Sequence, residues 1–206
     1  MGRPAPRVRP GGRARRAAGA VPGVVPAGPQ AGQPEPHVMS LATVDAGGRP
    51  DARVLMLHDA DERGWHFASH STSAKGRQLA GRADAALVFY WPAVARQVRI
   101  RGRVVPCGPE ESRADLAVRS RGALAAALTG RQSEVLGSAE ELARASAAAW
   151  ERAGAEPDAP APTWTRYVLE PAGAEFFQGD AARRHVRLRY RRAAAEAGWV
   201  RELLWP

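Results

Sequence analysis

Apolar and polar positions alternate with period two along several short stretches, and each such stretch predicts a half-buried strand. The clearest runs from Arg96 to Val104. Val98, Ile100 and Val104 fall on one face, and Gln97, Arg99, Arg101 and Arg103 on the other. Four polar side chains on one face line either solvent or a ligand groove. Val38–Val44 and Ala52–Leu57 flank the turn cluster Asp45-Ala-Gly-Gly-Arg-Pro50, which predicts a hairpin. Trp65–Ser69 and the apolar run Ala85–Tyr90 add strands, and Thr165–Leu169, Ala174–Gln178, Val186–Tyr190 and Trp199–Leu204 follow near the end. Helical signals lie between the two sets. Ser73 opens a short helix, Pro109–Arg119 and Gly122–Thr129 are Ala-rich, and Ser138-Ala-Glu-Glu141 is a capping box for a helix reaching about Gly154. Strands, then helices, then strands predict an α+β domain with one mostly antiparallel sheet or barrel.

Composition changes this picture at one end. The chain has 206 residues, 30 Lys and Arg against 21 Asp and Glu, and a net charge of +9. Only one of those 30 cations is a lysine, Lys75; with so much Ala, the arginines follow a GC-rich codon bias and say little about function. Residues 1–37 hold 8 of the 17 Pro, 7 of the 21 Gly and six Arg against a single acid, so about five of the nine positive charges sit there. No aromatic residue precedes Trp65. Such a segment cannot offset its ordering entropy by burial, and a disordered arm over residues 1–37 before a domain over 38–206 is expected. A signal peptide is not expected, because Pro22 and Pro26 interrupt Val21–Val25; Arg15-Arg16 lacks the apolar stretch a twin-arginine signal needs. No aromatics interleave with the arginines to stack on bases, so nucleic acid is not an expected partner. The lone Cys107 excludes an intrachain disulfide, no apolar run is long enough for a membrane helix, and a cytoplasmic protein is expected.

Generic motifs are missing. No phosphate-loop, dinucleotide, zinc-protease or nucleophile-elbow pattern occurs, and His37, His58, His66, His70 and His185 have no metal-ligand spacing. One stretch stands out. Ser69-His-Ser-Thr-Ser73-Ala-Lys75 puts hydroxyls and the only lysine at a strand end and helix start. Read alone, it is either an anion site built on a helix N-terminus or a hydroxyl-rich cap, the commoner outcome.

The order of short motifs resembles the pyridoxamine 5′-phosphate oxidase family of FMN-dependent flavoproteins. Glu35-Pro-His-Val-Met39 with Leu41-Ala-Thr-Val-Asp45 is similar to its opening strand, and Gly48-Arg-Pro50 with Arg53-Val-Leu-Met-Leu57 to its second. Phe67-Ala-Ser-His70 with Ser73-Ala-Lys75 resembles its flavin-phosphate turn, and Arg96-Gln-Val-Arg99 with Gly102 its RQVRVxG strand. Gln132-Ser133, Glu175-Phe-Phe-Gln-Gly179, the Arg183, His185, Arg187 box and Trp199 through Pro206 complete the series in register. The resemblance implies a six-stranded antiparallel FMN-binding split barrel (Greek key) with flanking helices, working as a homodimer with FMN in the clefts between subunits. It implies that Arg53 and Lys75 hold the FMN phosphate, with Ser69 and Ser73 as hydroxyl donors. Val54, Leu55 and Phe177 would be further flavin contacts, Gln97 would meet the isoalloxazine edge and Arg187 the ring. Gln132 and Ser133 would come from the partner subunit. Arg183 and His185, on one face of a strand, would bind or polarise the substrate. The substrate would give up hydride to the flavin and O2 would leave as hydrogen peroxide.

The substrate side departs from the family pattern. His58 stands where the family has a Lys, and Asp115, Arg119 and Ala123 stand where it has Tyr, Arg and Ser. An Asp beside a substrate phosphate would cost about 4 kcal/mol at ~4 Å and an effective dielectric near 20. The oxidases of phenazine biosynthesis, a branch of the family, carry patterns close to Phe67–Leu79 and Arg131–Leu136. An oxidase of secondary metabolism acting on an amine-bearing or dihydroaromatic small molecule is therefore the expectation. A genuine pyridoxine/pyridoxamine 5′-phosphate oxidase and a non-catalytic flavin-binding protein are the alternatives.

Overall fold

The computed structural model describes residues 33–192 and 198–206, so the arm expected over residues 1–37 lies, apart from residues 33–37, outside the described residues. The opening hairpin forms as Val38–Val44 (β1) and Pro50–Met56 (β2), antiparallel, with Leu41 opposite Arg53. The Asp45 carboxylate accepts the Arg49 N–H at 2.8 Å, and Gly48 takes the left-handed conformation at φ +79°. Asp59–Ala60 (β3), Trp65–His70 (β4), Ala74–Gly81 (α1), Asp84–Trp91 (β5) and Arg96–Pro106 (β6) follow. Three helices come next, Pro109–Ala117 (α2), Arg121–Thr129 (α3) and Ala139–Ala155 (α4). Trp164–Gln178 (β7), Val186–Arg192 (β8) and Trp199–Leu204 (β9) complete the chain.

All strand pairings are antiparallel, in the order β2-β1-β5-β6-β7-β4-β3, with β8 joined to β7 and β9 to β8. The expected α+β split barrel is thus present as a curled antiparallel half-barrel with flanking helices, but with nine strands among the described residues rather than six. The sequence predicts two strands here, Thr165–Leu169 and Ala174–Gln178; the structure instead joins them as one strand of 15 residues, β7. A bulge makes this possible. Arg101 pairs with Gly173 and Gly102 with Pro171, so Ala172 is the extra residue. The first half of β7 pairs with β4, the second half with β8, and β6 runs along both. The sheet therefore forks at β7.

At the bulge the strands touch. A Cβ on Gly102 would stand 1.9 Å from the Glu170 carbonyl oxygen and 2.8 Å from its carbon. Gly102→Ala is expected to cost about 3 kcal/mol, since backbone atoms must move to admit one methyl group; a denaturant midpoint unchanged from wild type would contradict this.

The core lies inside the curl. Met39, Leu41, Trp65, Phe67, Leu87, Ile100 and Leu169 are nearly or wholly buried there. Each contributes about 1.5–3 kcal/mol over an exposed position. The helices form a second cluster of Leu116, Leu124, Ala125, Ala127, Ala149 and Ala153, whose small side chains let α3 and α4 approach closely. Ser138 caps α4 as expected, accepting the Glu141 N–H at 3.1 Å. Glu141 reaches back one residue further than a capping box does, to the Gly137 N–H at 3.1 Å. No helix among the described residues is long and apolar enough to cross a membrane.

Candidate functional site

Two groups of side chains stand out, on opposite faces of the sheet. The first is at the barrel end beside α1. Ser69 is the penultimate residue of β4, the chain turns over Ser71 and Thr72, and Lys75 enters in the first turn of α1. The turn is tight enough to require glycine at its exit: a Cβ on Gly76 would meet the Ser71 carbonyl oxygen at 2.3 Å. Lys75 is buried and its Nζ donates to Ser69 Oγ at 3.0 Å and Gln132 Oε1 at 2.9 Å. Ser69 Oγ donates to the same Gln132 oxygen at 3.0 Å. Burial, with the Arg53 cation next in importance, holds the Lys75 ammonium below the usual lysine range.

Arg53 faces inward from β2, opposite Leu41. Its Nη1 donates to Leu41 O at 3.2 Å and Thr43 Oγ1 at 2.6 Å, and its Nη2 to Gln78 Oε1 at 2.9 Å and Asp51 Oδ2 at 2.5 Å. Two cations at one corner, one of them buried, form a donor set for a dianion such as a flavin phosphate. The residues present fit that group.

Ser73 is wholly buried and its hydroxyl is engaged at both ends, donating to His70 O at 2.7 Å and accepting the Gly76 N–H at 3.2 Å. It is the helix cap, not a free donor. Gln132, expected from the partner subunit, already meets Lys75 within one chain. Ser133 beside it is exposed at φ +75° and joins neither group. Leu55 packs against the core, whereas Val54 points to the other face and is largely exposed.

The second group lies on that outer face. Cross-strand neighbours share a face, so the register Tyr90–Gln97–Phe177–Arg187 makes one row across β5, β6, β7 and β8. Gln97, Phe177 and Arg187, all expected at the flavin ring, are thus brought side by side. Arg187 Nε donates to Glu175 Oε1 at 2.8 Å and its Nη1 to the Trp205 carbonyl at 3.1 Å, while Arg99 Nη2 reaches Glu175 Oε2 at 2.6 Å. Both guanidinium groups hold the Glu175 carboxyl below its usual range despite its burial.

Arg183 and His185 do not share a strand face. They sit in the loop before β8, and Arg183 is exposed at φ +64°. Asp180 organises this loop, accepting the Ala182 N–H at 2.9 Å and the Arg184 N–H at 3.3 Å. The His185 ring lies 5.2 Å from that of Phe177, and its Nδ1 accepts the Asp180 N–H at 3.0 Å, which leaves Nε2 to carry the proton. His185 does come to the end of the Gln97 row, by way of a loop.

The substrate-side residues converge behind α2. Asp115 is buried and binds Arg119 through Oδ2 at 3.0 Å from Nε, and the same oxygen accepts the Trp164 indole N–H at 3.0 Å. His58 Nδ1 lies 2.5 Å from Arg119 Nη2 and 3.4 Å from Asp115 Oδ1, and the guanidinium also covers the Trp164 ring at 5.0 Å. Burial alone would raise the Asp115 pKa. Hydrogen bonds from His58 and Trp164 and the Arg119 charge outweigh it and keep the carboxylate well below its usual range. Trp164 was not among the expected site residues, and nothing in its local sequence marks it; nor were Asp51 and Gln78. Asp51, two residues before Arg53 on a strand, was legible as a same-face neighbour.

A curled antiparallel half-barrel with flanking helices and an anion-ready inner corner fits the frame of a flavoprotein oxidoreductase. The chain belongs to the pyridoxamine 5′-phosphate oxidase family. Residues 30–152 match the family profile "Pyridoxamine 5'-phosphate oxidase", and residues 164–206 match "Pyridoxine 5'-phosphate oxidase C-terminal dimerisation region". A pyridoxine/pyridoxamine 5′-phosphate oxidase of Pseudomonas fluorescens is 45% identical over 173 residues, covering 84% of this chain and 79% of that protein. Among solved structures, PhzG from Burkholderia lata 383, in complex with tetrahydrophenazine-1-carboxylic acid, is 33% identical with a TM-score of 0.80, covering 86% of each chain. A pyridoxamine 5′-phosphate oxidase-related, FMN-binding protein from Nostoc punctiforme shares the fold at 21% identity, with a TM-score of 0.68 and 84% and 89% of the two chains covered.

Proposed function

We propose that this protein is an FMN-dependent oxidase that acts, as a homodimer, on an amine-bearing or dihydroaromatic small molecule lacking a phosphate, with O2 as acceptor and hydrogen peroxide as product. The observation that carries the substrate reading is the buried Asp115–Arg119 pair. In a site that receives a phosphate, an arginine must offer its N–H groups to the ligand, or be held by a partner exposed enough to turn away, which the buried Asp115 is not. Here the Arg119 fork is held by Asp115 and its Nη2 is against His58. The pair is close to neutral, which suits an uncharged ring better than a dianion.

Bound FMN would supply the hydride acceptor, the ring's N5. Arg53 and Lys75 hold its phosphate, with Ser69 behind them. The ring contacts Gln97, Phe177 and Arg187 lie on the opposite face of the sheet, so one flavin touching both groups spans two copies of the chain. The largely exposed Val54, Met56 and Tyr90 give that outer face an apolar contact surface for a second copy. His185, fixed by Asp180, holds a proton on Nε2 at the end of the ring row, and Arg183 beside it offers a cation to a substrate carboxylate.

A second reading is favoured by the 45% identity to a protein named for pyridoxine and pyridoxamine 5′-phosphate. Mixing the flavin-loaded protein with substrates in the absence of oxygen separates the two. A dihydrophenazine carboxylate is expected to bleach the flavin absorbance rapidly. Pyridoxamine 5′-phosphate is expected to do so about tenfold to hundredfold more slowly, the worth of one charge-assisted contact, and Asp115→Tyr to raise its rate. Faster bleaching by pyridoxamine 5′-phosphate in the wild-type protein would favour the second reading.

A further inference from the structure

Arg53 has five N–H groups, and four of them are engaged by groups of its own chain. Three of their acceptors are neutral and part of the fold: Leu41 O, Thr43 Oγ1 and Gln78 Oε1. The fourth is the Asp51 carboxylate, which also accepts the Gln78 side-chain N–H at 3.0 Å. Only Nε remains for a ligand. We propose that Asp51 is an internal stand-in for the cofactor phosphate: it occupies the open edge of Arg53 when flavin is absent and leaves it when the phosphate binds. This rests on reading the Arg53–Lys75 corner as the FMN phosphate site.

Three features favour displacement of Asp51 over displacement of the other partners. Its side chain is 47% exposed against 19% for Arg53, so turning it into water costs little desolvation. The remaining partners keep the guanidinium aimed after Asp51 has gone. Charge balance points the same way. With Asp51 in place the corner holds two cations and one anion; with Asp51 turned out, two cations meet a phosphate that carries about −1.5 to −2 at neutral pH. Release of Asp51 also frees the Gln78 side-chain N–H as a further donor. Asp51 thus weakens FMN binding and makes the cofactor exchangeable, while leaving recognition of the flavin ring untouched.

The test is a titration of flavin-free protein with FMN and, separately, with riboflavin, which lacks the phosphate, read by quenching of flavin fluorescence. Asp51→Asn is expected to bind FMN about tenfold tighter than wild type, by removal of like-charge repulsion, with riboflavin affinity unchanged. Asp51→Ser, which removes the carboxylate without adding an amide beside Arg53, is expected to behave likewise, and thermal melting of both flavin-free variants checks the fold. Wild-type protein that prefers FMN over riboflavin, with variants that bind FMN no tighter, overturns the proposal alone. Wild-type protein that shows no preference for FMN overturns the assignment of the corner and the proposal with it.

Discussion

Replacing Lys75 with methionine is expected to weaken FMN binding about hundredfold, enough for the protein to lose its cofactor on dilution. The ammonium is the buried half of the cationic pair, and a charge-assisted contact to a phosphate in a water-poor corner contributes about 1.5–3 kcal/mol or more. Methionine matches the length of the lysine stem and removes a buried charge, so the fold is expected to hold. Ser69 still donates to Gln132 when the ammonium is gone. Fluorescence titration with FMN measures the loss. An unchanged affinity would remove Lys75 from the phosphate site and leave it as a structural tie to Gln132.

Asp115→Asn is expected to be the more damaging change to stability. The substitution keeps the shape and removes the charge facing Arg119. It also turns an acceptor that serves Arg119 and the Trp164 indole into a group with its own N–H donors. Removing one member of a buried pair costs about 3 kcal/mol, because the other is left uncompensated. The sign of the pH dependence follows from the direction of the shift. Asp115 has a folded pKa below its ordinary value, so its contribution is fully present above about pH 4 and is lost as pH falls below that. The gap in stability between wild type and Asp115→Asn is therefore expected to be widest at neutral pH and to narrow in acid. Denaturant unfolding at several pH values reads it; a gap independent of pH would mean that the carboxylate charge is not what stabilises the cluster.

Much of the sheet was legible because alternation is a local property. Val98 and Ile100 face the core and Gln97, Arg99 and Arg101 face outward, as period two requires, and the Ser73 and Ser138 caps lie where hydroxyls precede helical runs. What escaped depends on strand partners and on side-chain capture of nearby groups, neither of which alternation reports. Thr165–Leu169 and Ala174–Gln178 read as two strands, and it is the bulge opposite Gly102 that carries β7 through as one. Arg183 and His185 have strand spacing, but the Asp180 side chain captures the backbone N–H groups of Ala182 and Arg184 and holds the segment as a loop. A motif signals which residues approach a cofactor. It does not reveal that Ser73 has both hydroxyl valences occupied by its own helix turn, or that Arg53 already has a carboxylate on its open edge.

The long strand β7 has one more implication, for how the chain can be divided. The two family matches end at residue 152 and begin at residue 164, which invites reading them as separable modules. Yet β7, the first strand of the later match, is paired along its length with β6 and over its first half with β4, both in the earlier one. Expressed alone, residues 164–206 would present the unpaired edge of β7 to solvent, and residues 30–152 would lack the strand that joins β4 to β6. Likeness of sequence is inherited here in two pieces, but cooperativity is not: the strand that begins the dimerisation region closes the sheet on which the cofactor corner is built.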